Sequence, residues 1–329
     1  MSGMNYKHII ISRTDAIGDV TLTLPLCGFL KSVYPDTKIS FLGKTYTEPV
    51  INTCTAIDGF INYDTLLQKP EKEQVDLLKS TGADVIVHVF PVKHLAYLAK
   101  KTGIGLRIGT RNRFYHWFTC NKLVSLSRKN SLLHEAALNL LLLKPLTEVP
   151  PPSRKEIYRY YDFTKTVRLP AVISNLLSDT KFNLVIHPKS HGSGMEWSLD
   201  KYRELIVLLP EDRFRIFISG SEKEKPALKE WIAGLPPADL VDLTGTMTLP
   251  QLIAFLHVAN GLVASGTGPL HLAAASGIHT LGLFPPKKPI HAMRWGPVGE
   301  KATALTSTSD DLDTIKATDV YKKISAWEK

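Results

Sequence analysis

His8-Ile9-Ile10-Ile11-Ser12 runs straight into Arg13-Thr14-Asp15-Ala16-Ile17-Gly18-Asp19, and from there into an apolar, threonine-rich stretch at 20–33. A short apolar run, a polar turn carrying a glycine and a longer apolar segment read as strand, turn and helix. The unit repeats along the chain. In the first half, β-rich runs stand at 8–12, 38–42, 59–62, 84–90 and 106–109; in the second half they stand at 182–187, 214–219, 240–243, 261–264 and 280–284. Helical stretches lie between them, beginning near Leu199, Glu222, Leu249 and Pro269 in the second half, with a last one at 311–327. Such alternation predicts an α/β protein with parallel sheets.

The alternation breaks around 144–170, where Pro145, Pro150, Pro151, Pro152 and Pro170 flank a polar, aromatic stretch, and a domain linker is expected there. A length of 329 residues agrees with about two domains of roughly 150 residues each. Open parallel sheets bind ligands at the carboxyl ends of their strands, so a cleft between two such halves is the expected place for chemistry.

Hydrophobic residues make up 44% of the chain and charged residues 22%, which excludes disordered, collagen-like and coiled-coil classes. The longest apolar runs, near 138–143 and 281–284, fall short of the roughly 20 residues that span a bilayer. Residues 1–11 lack a basic segment followed by a long apolar core. Cys27, Cys54 and Cys120 are odd in number and form no CxxC pair, so neither a disulfide framework nor a zinc site is expected, and a reducing cytoplasm fits best.

The net charge of +9 is concentrated. Residues 101–150 hold eight cations (Lys101, Arg107, Arg111, Arg113, Lys122, Arg128, Lys129, Lys144) against Glu135 and Glu148, which is six of the nine net charges. A local excess of this kind suits phosphates, sugar carboxylates or a lipid headgroup surface. Nucleic acid is the weakest partner, since the chain has no zinc-finger spacing, RNP-like motif or zipper.

Three junctions carry candidate chemistry. At the first, Gly18 lets the chain turn while Asp19 stands near a helix start; the helix dipole would keep it ionised, and desolvation would make it a base. Capping by Asp15 or Asp19 is the bland alternative. At the second, Ala264-Ser265-Gly266-Thr267-Gly268-Pro269-Leu270-His271 joins a strand to a small-residue helix, a cradle of free amides and a hydroxyl suited to pyrophosphate, with His271 as a donor. The third, His187-Pro188-Lys189-Ser190-His191-Gly192-Ser193-Gly194-Met195-Glu196-Trp197, offers Lys189 and loop amides to the same diphosphate. There is no GxSxG, no HExxH and no Cys/His cluster. Asp311-Leu312-Asp313 has the form of a metal-binding DxD but opens the last helix, where acidic capping is the expected role.

Taken together, Arg13 to Asp19 with Leu30, Lys31 and Pro35 downstream, the loop ending in Glu196-Trp197, and Thr267 to Ala274 resemble glycosyltransferase family 9, the ADP-heptose:lipopolysaccharide heptosyltransferases. The resemblance covers nearly the whole chain. It implies a GT-B architecture, two Rossmann-like parallel-sheet domains facing a cleft: an acceptor-side domain at 1–160, a nucleotide-sugar domain at 161–310, and a last helix at 311–329 packing back toward the first domain. It implies an inverting transfer of heptose or a related sugar from an ADP-sugar to an anionic lipid A/Kdo-type acceptor. No cofactor or metal is required, and the enzyme would lie peripherally on the cytoplasmic side of the inner membrane.

By motif position, Asp19 matches the catalytic base. Thr267, Gly268 and His271 match diphosphate positions, Lys189 and Ser190 line the donor loop, Glu224 resembles a ribose-binding acid and Met247 an adenine-pocket residue. Arg107, Arg111 and Arg113 are the expected acceptor-side cations. Two departures stand out: Met195 where members carry a Lys, and Gly266 where they often carry an Asp. They keep open a GT-B enzyme using another nucleotide sugar, a UDP-sugar transferase or an epimerase, and an inactive nucleotide-sugar-binding member.

Overall fold

The computed structural model describes residues 6–128, 131–190, 192 and 194–329. They form two compact units, Met1–Lys165 and Thr166–Lys329. In the first, six parallel strands, β1 (His8–Ser12), β2 (Lys38–Gly43), β3 (Gly59–Asn62), β4 (Val85–His88), β5 (Leu106–Thr110) and β6 (Lys122–Val124), lie in the order β3-β2-β1-β4-β5-β6. In the second, β7 (Phe182–His187), β8 (Phe214–Ile218), β9 (Leu240–Asp242), β10 (Gly261–Ser265), β11 (His279–Phe284) and β12 (Ala302–Thr306) lie in the order β12-β11-β10-β7-β8-β9. Both orders reverse once, between β1 and β4 and between β7 and β10, which is the doubly wound arrangement that binds ligands at the reversal.

The central strands β1, β4, β7 and β10 are wholly buried. Helices cover both faces, so these strands read as continuous apolar runs rather than alternating ones. Two of the four edge strands, β6 and β12, have no counterpart among the expected runs; both are short or half-exposed, Lys122-Leu123-Val124 and Ala302-Thr303-Ala304-Leu305-Thr306.

The expected linker is largely packed structure. The turn Ile157–Tyr160 lies on the helix Leu24–Val33, where a Cβ at Gly28 would stand 2.1 Å from the Tyr160 carbonyl oxygen. Phe29 and Tyr160 meet edge to face at 5.5 Å, and Thr55 N donates to Asp162 O at 2.8 Å. These contacts carry the first unit to Lys165 instead of 160.

The last helix, Ala317–Ile324, buries its apolar face in the core of the second unit. Val320 and Ile324 are buried with Tyr202, Leu205 and Ile206 of the helix Leu199–Leu208, and Trp327 stacks on Phe182 of β7 at 6.0 Å. Asp311 caps the short turn before it, accepting from Asp313 N at 3.0 Å, while Asp313 accepts from Ser198 N at 2.9 Å.

Candidate active site

In the first unit the chain leaves β1 through Arg13, whose buried guanidinium becomes a hub. Its Nε and Nη2 donate to the two Asp15 carboxyl oxygens at 2.7 and 2.9 Å, and Nη2 also donates to Asp19 Oδ1. Nη1 points inward to Glu135 Oε1 at 3.2 Å, Asn139 Oδ1 at 3.1 Å and Thr23 Oγ1 at 3.3 Å. Arg128 closes the network from the other side, pairing with Glu135 and donating to Asn139 Oδ1 at 2.9 Å and Val89 O at 3.1 Å.

The short helix Ile17–Thr21 starts after Ala16 with no side-chain cap, so neither Asp15 nor Asp19 serves as one. Among the described residues, the guanidinium groups of Arg13 and Arg128 and the carboxylates of Asp15, Asp19 and Glu135 thus meet in one largely buried cluster. Burial pushes the Asp19 carboxyl up to about 6; the Arg13 charge opposes this and the Asp15 charge adds to it. Burial is the largest influence on this group, the desolvation that a base at this helix start needs. The result is a carboxyl whose proton affinity lies close to neutral pH, as a general base requires.

The three expected acceptor-side arginines separate. Arg111 and Arg113 follow the carboxyl end of β5 and are exposed, on the same sheet edge as Asp19. Arg107 stands near the amino end of that strand, and its guanidinium donates to the carbonyls of Thr119, at 2.8 Å, and Ile104. It braces the backbone instead of facing the ligand edge. Lys129 of the basic segment lies outside the described residues.

In the second unit the expected donor residues all follow carboxyl ends of neighbouring strands: Lys189 and Ser190 after β7, Glu224 after β8, Met247 after β9, and Thr267, Gly268 and His271 after β10. Two of these loops are stitched together. Trp197 N donates to Ser265 Oγ at 3.1 Å, and a Cβ at Gly194 would lie 2.8 Å from the Gly266 carbonyl oxygen, a separation only glycine permits.

Thr267 occupies the cap position of the helix Gly268–Ala275 without making a side-chain cap bond. Thr267 Oγ1 and His271 Nδ1 are both buried and have no hydrogen-bond partner among the described residues. Such orphaned groups are costly in a native structure and call for a ligand or solvent. Together with the free amides of the helix start they make an anion cradle. Burial lowers the His271 pKa to about 4, so its contribution is a neutral hydrogen bond, not a cation.

Lys189 pairs with Glu196. Ser190 donates to the same carboxylate, from N at 2.7 Å and from Oγ at 3.0 Å. Burial pushes Glu196 up, but these donors win and hold it below the usual carboxylate range. His191 and Ser193 of this loop lie outside the described residues. Glu224 is buried with Oε2 accepting from Ser221 N at 2.7 Å and Oγ at 2.8 Å, and Met247 is half-buried before the helix Leu249–Leu256.

Both sequence departures have a packing reason. Met195 lies against the apolar core of the second unit. At Gly266 a Cβ would stand 3.0 Å from the Phe284 ring, which fills the space a side chain there would enter.

Sequence reasoning gave no role to Arg13, Glu135, Arg128 or Asn139, nor to His291 and Arg294, two largely buried basic residues in the segment after β11. The Arg294 guanidinium lies 5.1 Å from the Trp295 ring centroid. The signal available for the last two was a pair of basic residues in a proline-rich loop at a strand's carboxyl end.

Two doubly wound units, each a six-stranded parallel sheet, give the chain the GT-B fold of the heptosyltransferase structures it superposes on. Residues 78–325 match the model of glycosyltransferase family 9 (heptosyltransferase), and the chain belongs to that family. It is 24% identical to lipopolysaccharide heptosyltransferase 3 of Escherichia coli, over 81% of this chain and 80% of that one. Among solved structures, a family 9 glycosyl transferase from Veillonella parvula superposes with a TM-score of 0.80 at 18% identity, covering 98% of this chain and 97% of that one. The Escherichia coli heptosyltransferase WaaC with ADP superposes at 0.76 with 19% identity, covering 97% and 99%. The chain is therefore a heptosyltransferase-family glycosyltransferase related to enzymes of the lipopolysaccharide core.

Proposed function

We propose that this enzyme transfers a heptose, or a closely related sugar, from an ADP-sugar to an anionic lipid A/Kdo-type inner-core acceptor, with inversion and without a metal ion. The observation that carries this reading is Asp19, a carboxyl with 21% of its side chain exposed, tethered by Arg13 and raised to about 6. Ionised at neutral pH, it takes the proton of the acceptor hydroxyl as that oxygen attacks the anomeric carbon from the face opposite the diphosphate. One displacement inverts the centre. Arg13 orients the carboxyl.

The departing ADP gains charge as the bond breaks. The amides at the start of the helix Gly268–Ala275, the Thr267 hydroxyl and His271 are the groups suited to stabilise it. Lys189 joins them on exchanging Glu196 for the diphosphate, Ser190 shapes that loop, and Glu224 and Met247 take the nucleoside. Arg111 and Arg113 meet acceptor phosphates or carboxylates, and the protein works peripherally at the cytoplasmic face of the membrane that holds this lipid. That ADP is bound in the WaaC structure supports the adenine nucleotide.

ADP release from ADP-heptose, measured with and without a Kdo-lipid A acceptor in the parent and in Asp19→Ala, tests the reading. Acceptor-dependent release should fall by about 10²- to 10⁴-fold in the variant with ADP affinity unchanged. Unaltered turnover in the variant would remove Asp19 from the mechanism. Phe284 in place of a donor-site acid favours one second reading, a different sugar nucleotide, and stronger binding of UDP than of ADP would select it.

A further inference from the structure

From Val85 to His134 the chain contains no Asp or Glu, yet it holds nine Lys and Arg. Part of this stretch builds an exposed surface. The turn after β5 presents Arg111, Arg113 and Phe114, and the following helix His116–Thr119 presents Trp117 and Phe118. Phe114 is 77% exposed, Trp117 58% and Phe118 55%. Beside them packs the helix Lys93–Lys101, whose outward residues are Lys93, Tyr97 and Lys100.

The shelf is braced from below. His116 is buried, its Nδ1 accepting from Thr110 N at 3.1 Å, and Trp117 Nε1 donates to Arg111 O at 2.8 Å. Phe114 and Phe118 meet edge to face at 5.0 Å. Arg111 and Arg113 form no ion pair among the described residues. Contiguous exposed aromatic rings on a soluble surface mark an interaction site. Rings of Trp and Phe mixed with unpaired cations match the boundary between headgroups and acyl chains of an anionic bilayer, where the rings bury their apolar bodies and the cations meet phosphates.

We propose that this surface, Lys93, Tyr97, Lys100 and the segment Arg111 to Phe118, docks the enzyme on an anionic lipid bilayer. β5 lies two strands from β1, so the shelf and Asp19 share one sheet edge with strand axes roughly 10 Å apart. A docked shelf brings the headgroup layer to the edge where the base waits. That the acceptor sits in a bilayer is part of the proposed function, on which this assignment rests; the surface itself is tested without any sugar.

The full-length protein is floated with phosphatidylcholine vesicles with and without phosphatidylglycerol. Binding is expected only with phosphatidylglycerol, weakening as salt rises, with each cation worth roughly fivefold in affinity. Bromine-labelled lipid should quench Trp117, and the quenching should be lost in Trp117→Phe, since Trp197, Trp231 and Trp327 are buried and Trp295 half-buried in the second unit. The triple variant Phe114→Ser, Trp117→Ser, Phe118→Ser should lose roughly tenfold or more of vesicle affinity. The double variant Phe114→Ser, Phe118→Ser, which keeps the bond from Trp117 to Arg111, should retain the parental melting temperature and parental transfer to a delipidated, soluble acceptor. Arg111→Glu with Arg113→Glu should abolish binding to the charged vesicles. Equal binding of parent and triple variant, absence of binding by the parent, or a parental dimer that the triple variant dissociates would each overturn the assignment, the last in favour of self-association. Vesicle binding without sugar transfer would leave the surface standing and remove the proposed function, and transfer without vesicle binding would do the reverse.

Discussion

Replacing Asp19 by Asn should make the protein a poorer enzyme and a more stable one. Burial raises the Asp19 carboxyl from its ordinary 3.8 to about 6, so the folded state binds this proton more tightly than the unfolded chain does. For an acid shifted upward, stability is present while the group is protonated and is lost as pH rises from the unfolded to the folded value. At about 1.4 kcal/mol for each tenfold change in proton affinity, the ionised group costs about 3 kcal/mol above pH 6.

Asn is uncharged at every pH and keeps an oxygen for Arg13. The stability difference between variant and parent should therefore be near zero below about pH 4, grow between pH 4 and 6, and level off near about 3 kcal/mol at higher pH. Urea denaturation of the whole protein at several pH values measures it. The same substitution should lower acceptor-dependent turnover by about 10²- to 10⁴-fold. In the parent, turnover should fall tenfold per pH unit below the Asp19 titration. A variant less stable than the parent at neutral pH, or a gain that does not change with pH, would refute the account of a carboxyl strained by burial and the neighbouring Asp15 charge.

Thr267→Val removes a buried hydroxyl that has no partner among the described residues. Calorimetry of the ligand-free protein should show equal or greater stability, while ADP affinity drops by about 0.5–1.5 kcal/mol, the net worth of one hydrogen bond. Glu196→Gln releases Lys189 from its carboxylate, and titration should show tighter ADP binding; unchanged affinity would mean that Lys189 does not reach the diphosphate. Turnover in EDTA should equal turnover without it, and restoration by added magnesium would show that a metal takes part.

Ten strands were legible because each is an apolar, β-rich run set off by turn residues, and burial on both faces leaves such a run unbroken. β6 and β12 were not, because Lys122-Leu123-Val124 is a three-residue strand that opens on a charged residue and Ala302-Thr303-Ala304-Leu305-Thr306 carries a single large apolar side chain; each is held by hydrogen bonds to one neighbour, which leave little mark on side-chain composition. The loops at 187–197 and 264–271 were legible through their glycines. Gly194 is required by a backbone approach that spans two loops, a reason visible only once they are brought together.

By itself, then, the amino-acid sequence determined the class of fold, the division into two sheets, and the strand ends at which chemistry is placed, since all of these follow from local periodicity and turn chemistry. Tertiary structure alone decided how those ends are electrically furnished. Arg13 meets Glu135 across 122 residues of chain, and that meeting, with Arg128 and Asp15, sets the charge balance around Asp19. It also turned Arg107 into a brace, paired Lys189 with Glu196 and seated the last helix on the second unit. A side chain's proton affinity and freedom depend on what stands within a few ångströms of it, and such neighbours come from distant parts of the chain.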